Sequence, residues 1–117
     1  MRAGQTAVLI LLVACLGLGA LVLSCAGALP PVTPGLVAHA ALRWPGIDAS
    51  ELHRGRRLYV DHCSGCHALA LPQDRAPEAW TVVLKRMHER ARLRPEQEWL
   101  VLRYLESASA EAHASKP

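Results

Sequence analysis

The sequence predicts an all-α protein: a small domain of three or more helices, preceded by an apolar N-terminal helix. Three observations lead there. Apolar residues recur at three- and four-residue spacing through residues 48–62, 77–92 and 95–107. Acidic residues and proline stand where those stretches begin, as they do at helix starts. No strand pattern surrounds the paired cysteines at Cys63 and Cys66.

At 117 residues the chain suits one domain. Its 51% apolar content is unevenly spread: no charged residue lies between Arg2 and Arg43. The net charge of +3 is too small for a nucleic-acid binder, and no aromatic platform supports one. There is no Phe, so the core must rest on Leu, Val, three Trp and two Tyr. A domain of about 70 residues, from Ile47 onward, buries little apolar surface and usually needs a metal, disulfide or cofactor as a staple.

Residues 1–28 read as a signal peptide, a lipoprotein signal or a membrane anchor. Arg2 precedes an apolar run, Thr6 to Leu29, just long enough to span a bilayer. Ala26-Gly27-Ala28 fits a small-x-small cleavage site. Val22-Leu23-Ser24-Cys25 resembles a lipobox that would carry lipid on Cys25. A retained anchor would keep Arg2 on the cytoplasmic side. All three endings place the rest of the chain outside the cytoplasm, on the periplasmic side of a bacterial inner membrane, soluble or anchored.

Residues 29–46 read as a linker, because Pro30, Pro31, Pro34 and Pro45 forbid a long regular helix. The first domain helix is predicted from Asp48 or Ser50 to about His62, with Asp48 and Glu51 in capping-box spacing. Leu52, Gly55, Leu58, Tyr59 and His62 share a face, and Gly55 would admit a second helix closely. A second helix is predicted from Pro77, burying Trp80, Val83, Leu84, Met87 and Ala91. A third starts near Pro95, with Glu96 and Glu98 favourable to its dipole. Its expected stripe is Trp99, Leu102 and Leu105, widened by Leu100 and Tyr104. The domain is expected over 47–107, and residues 108–117, small and polar, as a disordered tail.

His62-Cys63-Ser64-Gly65-Cys66-His67 contains Cys-x-x-Cys-His, the attachment sequence for c-type haem. Two cysteines three apart on one helical turn point the same way and can form thioethers on one porphyrin edge. The adjacent His67 then supplies the proximal nitrogen. Other uses of these residues fit less well. A redox dithiol would need a βαβ context. Zinc could use Cys63, Cys66, His67 and His62, but structural zinc sites usually draw a second ligand pair from a distant segment, and no other Cys follows position 25. A Cys63–Cys66 disulfide would close a sterically poor, very short loop.

With these residues in view, the chain resembles the class I c-type cytochromes over about Ile47 to Ser107. Gly55-Arg56-Arg57-Leu58-Tyr59 before the haem motif is similar to the start of such a domain, and Arg103-Tyr104-Leu105 to its last helix. Trp80 through Arg86-Met87 resembles a pattern in some small bacterial members. The Gly-Pro-x-Leu that follows the haem histidine in that family is absent, leaving Pro72 or Pro77 to take its place. The resemblance implies one haem c, covalent through Cys63 and Cys66, in a single-electron carrier; no catalytic constellation beyond the haem is visible, so no enzyme is expected.

Helical phase places Met87, the only methionine besides the initiator, on the buried face and turns His88 about 100° away. Met87 is therefore the expected sixth ligand, with His67 the fifth; His62, His39, His53 and His113 are weaker candidates. Lys85, Arg86, Arg90, Arg92 and Arg94 surround Met87 in sequence and suit docking of an acidic redox partner. A haem subunit of a larger periplasmic oxidoreductase or respiratory complex is the second expected role, and a haem sensor or gas-binding protein the third.

Overall fold

The computed structural model describes residues 28–117, which form four α-helices and one 3-10 turn. We label them α1 (Pro34–Ala41), α2 (Ala49–Cys63), α3 (Ala79–Ala91) and α4 (Pro95–Ala114); the turn is Pro72–Asp74. No strand occurs among the described residues. The signal, lipidation and anchor readings fall on residues outside them. No helix within them is long and apolar enough to cross a membrane.

Each helix begins where local chemistry favours it. Thr33 Oγ1 accepts the Leu36 N–H at 3.1 Å, with Pro34 in the first turn of α1. Asp48 Oδ1 accepts the Glu51 N–H at 2.8 Å and starts α2. The reciprocal half of the capping box is not made, because Glu51 instead meets Arg103 at 3.1 Å. Pro77 lies in a turn before α3, and its carbonyl accepts the Trp80 N–H at 3.2 Å. Pro95 opens α4, where Gln97 Oε1 accepts the Arg94 N–H at 3.0 Å.

α4 is the axis of the molecule. It packs most extensively on α2, and also on α1, α3 and the 3-10 turn. The core holds Leu36 and Ala40 of α1, Leu52 and Tyr59 of α2, Trp80 and Leu84 of α3, and Val101, Tyr104, Leu105 and Ala108 of α4. α2 meets α4 at Gly55, where backbone lies against backbone. Trp80 is buried, and its indole N–H donates to the Pro72 carbonyl at 3.2 Å. Tyr59 meets Trp80 edge-on, with centroids 6.2 Å apart, and donates its hydroxyl to the Ala70 carbonyl at 2.7 Å. Together they hold the loop that follows the cysteine motif.

Three expectations need correction. Residues 29–46 are not a free linker: they contain α1, whose Leu36 and Ala40 are buried. Arg56 donates to the Pro30 and Leu29 carbonyls at 3.0 and 3.2 Å, and Tyr104 donates to Pro30 at 2.6 Å. The prolines read as helix breakers flank this helix or open it. Nor are residues beyond 107 a disordered tail. α4 continues to Ala114, and Ala108 and Ser109 are buried against its neighbours. Finally, the buried stripe of α4 centres on Leu100, Val101, Tyr104, Leu105 and Ala108. Trp99, expected inside, is 54% exposed and carries the Arg103 guanidinium 5.2 Å from its ring.

Burial pushes the Tyr59 and Tyr104 hydroxyls up from 10.0 to about 12, against the opposing pull of the Ala70 bond on one and Arg56 on the other. A folded-state pKa above the unfolded value means the native state holds these protons more tightly. The resulting stabilisation is complete below pH 10 and is lost as pH rises through about 12. Denaturant unfolding at pH 8 and pH 11 should therefore show a marked alkaline loss. Tyr59→Phe should cost about 1 kcal/mol at pH 8 and flatten that loss. An equally steep decline in Tyr59→Phe and Tyr104→Phe would remove this explanation.

Candidate functional site

The site is built by the end of α2, the turn after it and the last turns of α3. Cys63 is the final residue of α2, and Ser64, Gly65 and Cys66 form the turn that follows it. Ser64 Oγ donates to the Val60 carbonyl at 2.7 Å and secures that turn. Met87 lies one helical turn before Ala91, the last residue of α3. His62, Cys63, Cys66, His67, Met87, Arg90 and Ala91 line one cleft of about 90 Å³. All four residues expected at the site are thus brought together, Cys63 and Met87 half-buried, Cys66 and His67 exposed.

The two histidines are fixed in a defined way. His67 Nδ1 is 2.8 Å from the Ala68 carbonyl. His62 Nδ1 is 2.7 Å from the Ala91 carbonyl. A carbonyl can only accept, so in each ring Nδ1 carries the proton and Nε2 is left as the basic nitrogen. For His67 this is the tautomer a metal needs. The Ala68 carbonyl fills the role that Pro72 or Pro77 was expected to take. Pro72 is buried, and its carbonyl serves Trp80 instead.

Cys63 and Cys66 are both free thiols. Burial pushes the Cys63 thiol above its usual range, and Cys66 adds to the rise. A raised thiol pKa is the reverse of what an attacking redox dithiol requires. Among the described residues no three His, Cys, Asp or Glu side chains gather as a metal site. The cysteines and histidines share the cleft without converging as zinc ligands would.

The donor set fits a porphyrin better. Two thiols lie on one wall beside a histidine with free Nε2, and a thioether faces the same space. The cleft is smaller than a porphyrin, so seating one means widening the gap between α2 and α3. Those helices pack mainly on α4; between themselves they share the Tyr59–Trp80 contact and the His62–Ala91 hydrogen bond, so any widening has to open the cleft between those two ties.

Lys85, Arg86, Arg90, Arg92 and Arg94 are all exposed, and Arg90 lines the cleft itself. Arg94 also pairs with Glu96 at 3.1 Å on the open surface. His88 faces away from the cleft and meets Glu98 at 2.6 Å, so helical phase separated it correctly from Met87.

The sequence pattern gave no sign of two further features. One is the bond from His62 to Ala91, 29 residues away. The other is Glu106, only 2% exposed, held by Thr81 Oγ1 at 3.0 Å and by Arg43 at 3.1 Å. Neither pairing has a local spacing that could reveal it. No family model, curated protein or solved structure matches the chain.

Proposed function

We propose that the protein is a monohaem c-type electron carrier working outside the cytoplasm. The observation that carries this reading is the meeting of Cys63, Cys66, His67 and Met87 in one cleft. Cys63 and Cys66 would hold the macrocycle through thioethers, and His67 through Nε2 and Met87 through its sulfur would hold the iron. The haem iron, when bound, supplies a one-electron couple whose potential a methionine ligand raises. His67 keeps Nε2 available by donating its Nδ1–H to the Ala68 carbonyl. If both His67 and Met87 hold the group, no protein-free coordination position would be left for a substrate, which would suit transfer rather than catalysis.

The test is optical. Purified protein should give the spectrum of covalent haem c, with a far-red sulfur-to-iron band in the oxidised form. Met87→Ala should abolish that band and leave the haem attached. Absence of covalent haem from protein made in a host competent for haem attachment would overturn the proposal. A haem protein lacking the band would overturn the role of Met87.

The exposed basic residues beside the cleft suit an acidic redox partner. Electron transfer with such a partner should slow about tenfold or more between low and physiological salt, as screening removes the steering field. Measuring the bimolecular rate against ionic strength decides this, and a flat profile would sink the docking role.

A further inference from the structure

We propose that His62 is a positioning residue for Met87, acting as the side-chain cap of the helix that carries it; this rests on the haem reading above. α1, α2 and α4 each end with a hydrogen bond from the cap residue's backbone N–H to a carbonyl of the last turn. α3 ends differently. Its cap, Arg92, sits in the left-handed region at φ 51, and no such bond is made there. The carbonyls at a helix end need partners, most of all where they are buried. Ala91 is buried, and its carbonyl receives the His62 Nδ1–H at 2.7 Å. The final carbonyl of α3 thus takes a donor from another helix, at the one of these four helix ends whose cap N–H makes no such bond.

The consequence follows from geometry. Met87 precedes Ala91 by four residues, one turn up the same face, and both line the cleft with His62. His62 itself adjoins Cys63, so the bond joins the wall carrying the thiols to the wall carrying the thioether. It is the only hydrogen bond between α2 and α3 among the described residues. At the other end of α3 the two helices meet through Tyr59 and Trp80. Tyr59–Trp80 anchors the start of α3, and His62–Ala91 sets how far its end can move from the haem motif. Loss of the His62 bond leaves the haem attached and frees the end of α3, so the Met87 sulfur is held less firmly in ligating position.

Three variants of the holoprotein test this. His62→Phe keeps a ring but removes the donor. His62→Ala gives the same reading if the larger ring disturbs packing. His62→Asn places an amide N–H close to where Nδ1 lies. The first two should retain covalent haem and helicity, but weaken the sulfur-to-iron band. Their affinity for added imidazole, which competes for the Met87 position, should rise about tenfold, as expected for one lost hydrogen bond. Amide exchange at Ala91 to Leu93 should quicken in parallel. His62→Asn should restore all three readouts towards the native values. A native band that persists unchanged in His62→Phe and His62→Ala, with unchanged imidazole affinity, overturns this inference alone. A native protein without the band overturns the Met87 reading and this inference together.

Discussion

Gly55→Ala should destabilise the fold by about 3 kcal/mol or more, a large part of the total for a domain of this size. A Cβ on residue 55 would stand 2.1 Å from the Leu100 carbonyl oxygen, 2.7 Å from its carbon and 3.1 Å from the Tyr104 Cβ. Two of those atoms are helix backbone and cannot turn aside as a side-chain tip can. α2 and α4 would have to part along their whole contact, the most extensive in the molecule. Alanine's better helix propensity returns only about 1 kcal/mol. Gly65→Ala is the control, because its Cβ would meet nothing within 4 Å. Denaturant midpoints of the two variants should differ widely. Equal midpoints would show that the crossing is looser than its geometry indicates.

Replacing Cys63 and Cys66 together by Ser should reduce covalently held haem from essentially all of the protein to none. A serine hydroxyl forms no thioether. His67 and Met87 alone would then hold the group in a cleft whose enclosed space is only about 90 Å³. Acid-acetone extraction followed by haem staining of a denaturing gel measures the covalent fraction. Either single Ser variant should keep one thioether and remain stained. Covalent haem surviving in the double variant would sink the attachment chemistry proposed for this motif. The variant should also unfold more readily, since a domain this small has little buried surface in reserve.

Local signals carried much of the structure. The Asp48 cap and the proline at the start of α4 act on residues three or four positions away, so spacing alone exposed them. Gly55 declared itself as the one small residue on an otherwise apolar helix face. The phase of α3 separated Met87 from His88 without any knowledge of neighbours, because that helix buries one face only. The same reasoning misplaced the α4 stripe. α4 is packed by α1, α2, α3 and the 3-10 turn, and Gly55 fixes which of its residues face α2. Trp99, the largest apolar residue there, was left outside. The prolines of residues 29–46 correctly forbade a long helix but could not show that a short one docks through Leu36.

The Cys-x-x-Cys-His spacing, the lone late methionine and its helical phase are properties of the sequence itself. They determined which residues belong to the candidate site, because each is set by covalent order or by one helix repeat. Only the tertiary structure decided that α4 runs on to Ala114, that Arg56 and Tyr104 clamp the chain at Pro30, and that His62 closes the helix bearing Met87. The last two are pairings across 26 to 74 residues. They depend on how helices cross rather than on what lies beside a residue in the chain. The Cys-x-x-Cys-His motif was legible at once for the first reason, and the hydrogen bond from His62 to the end of the Met87 helix was hidden for the second.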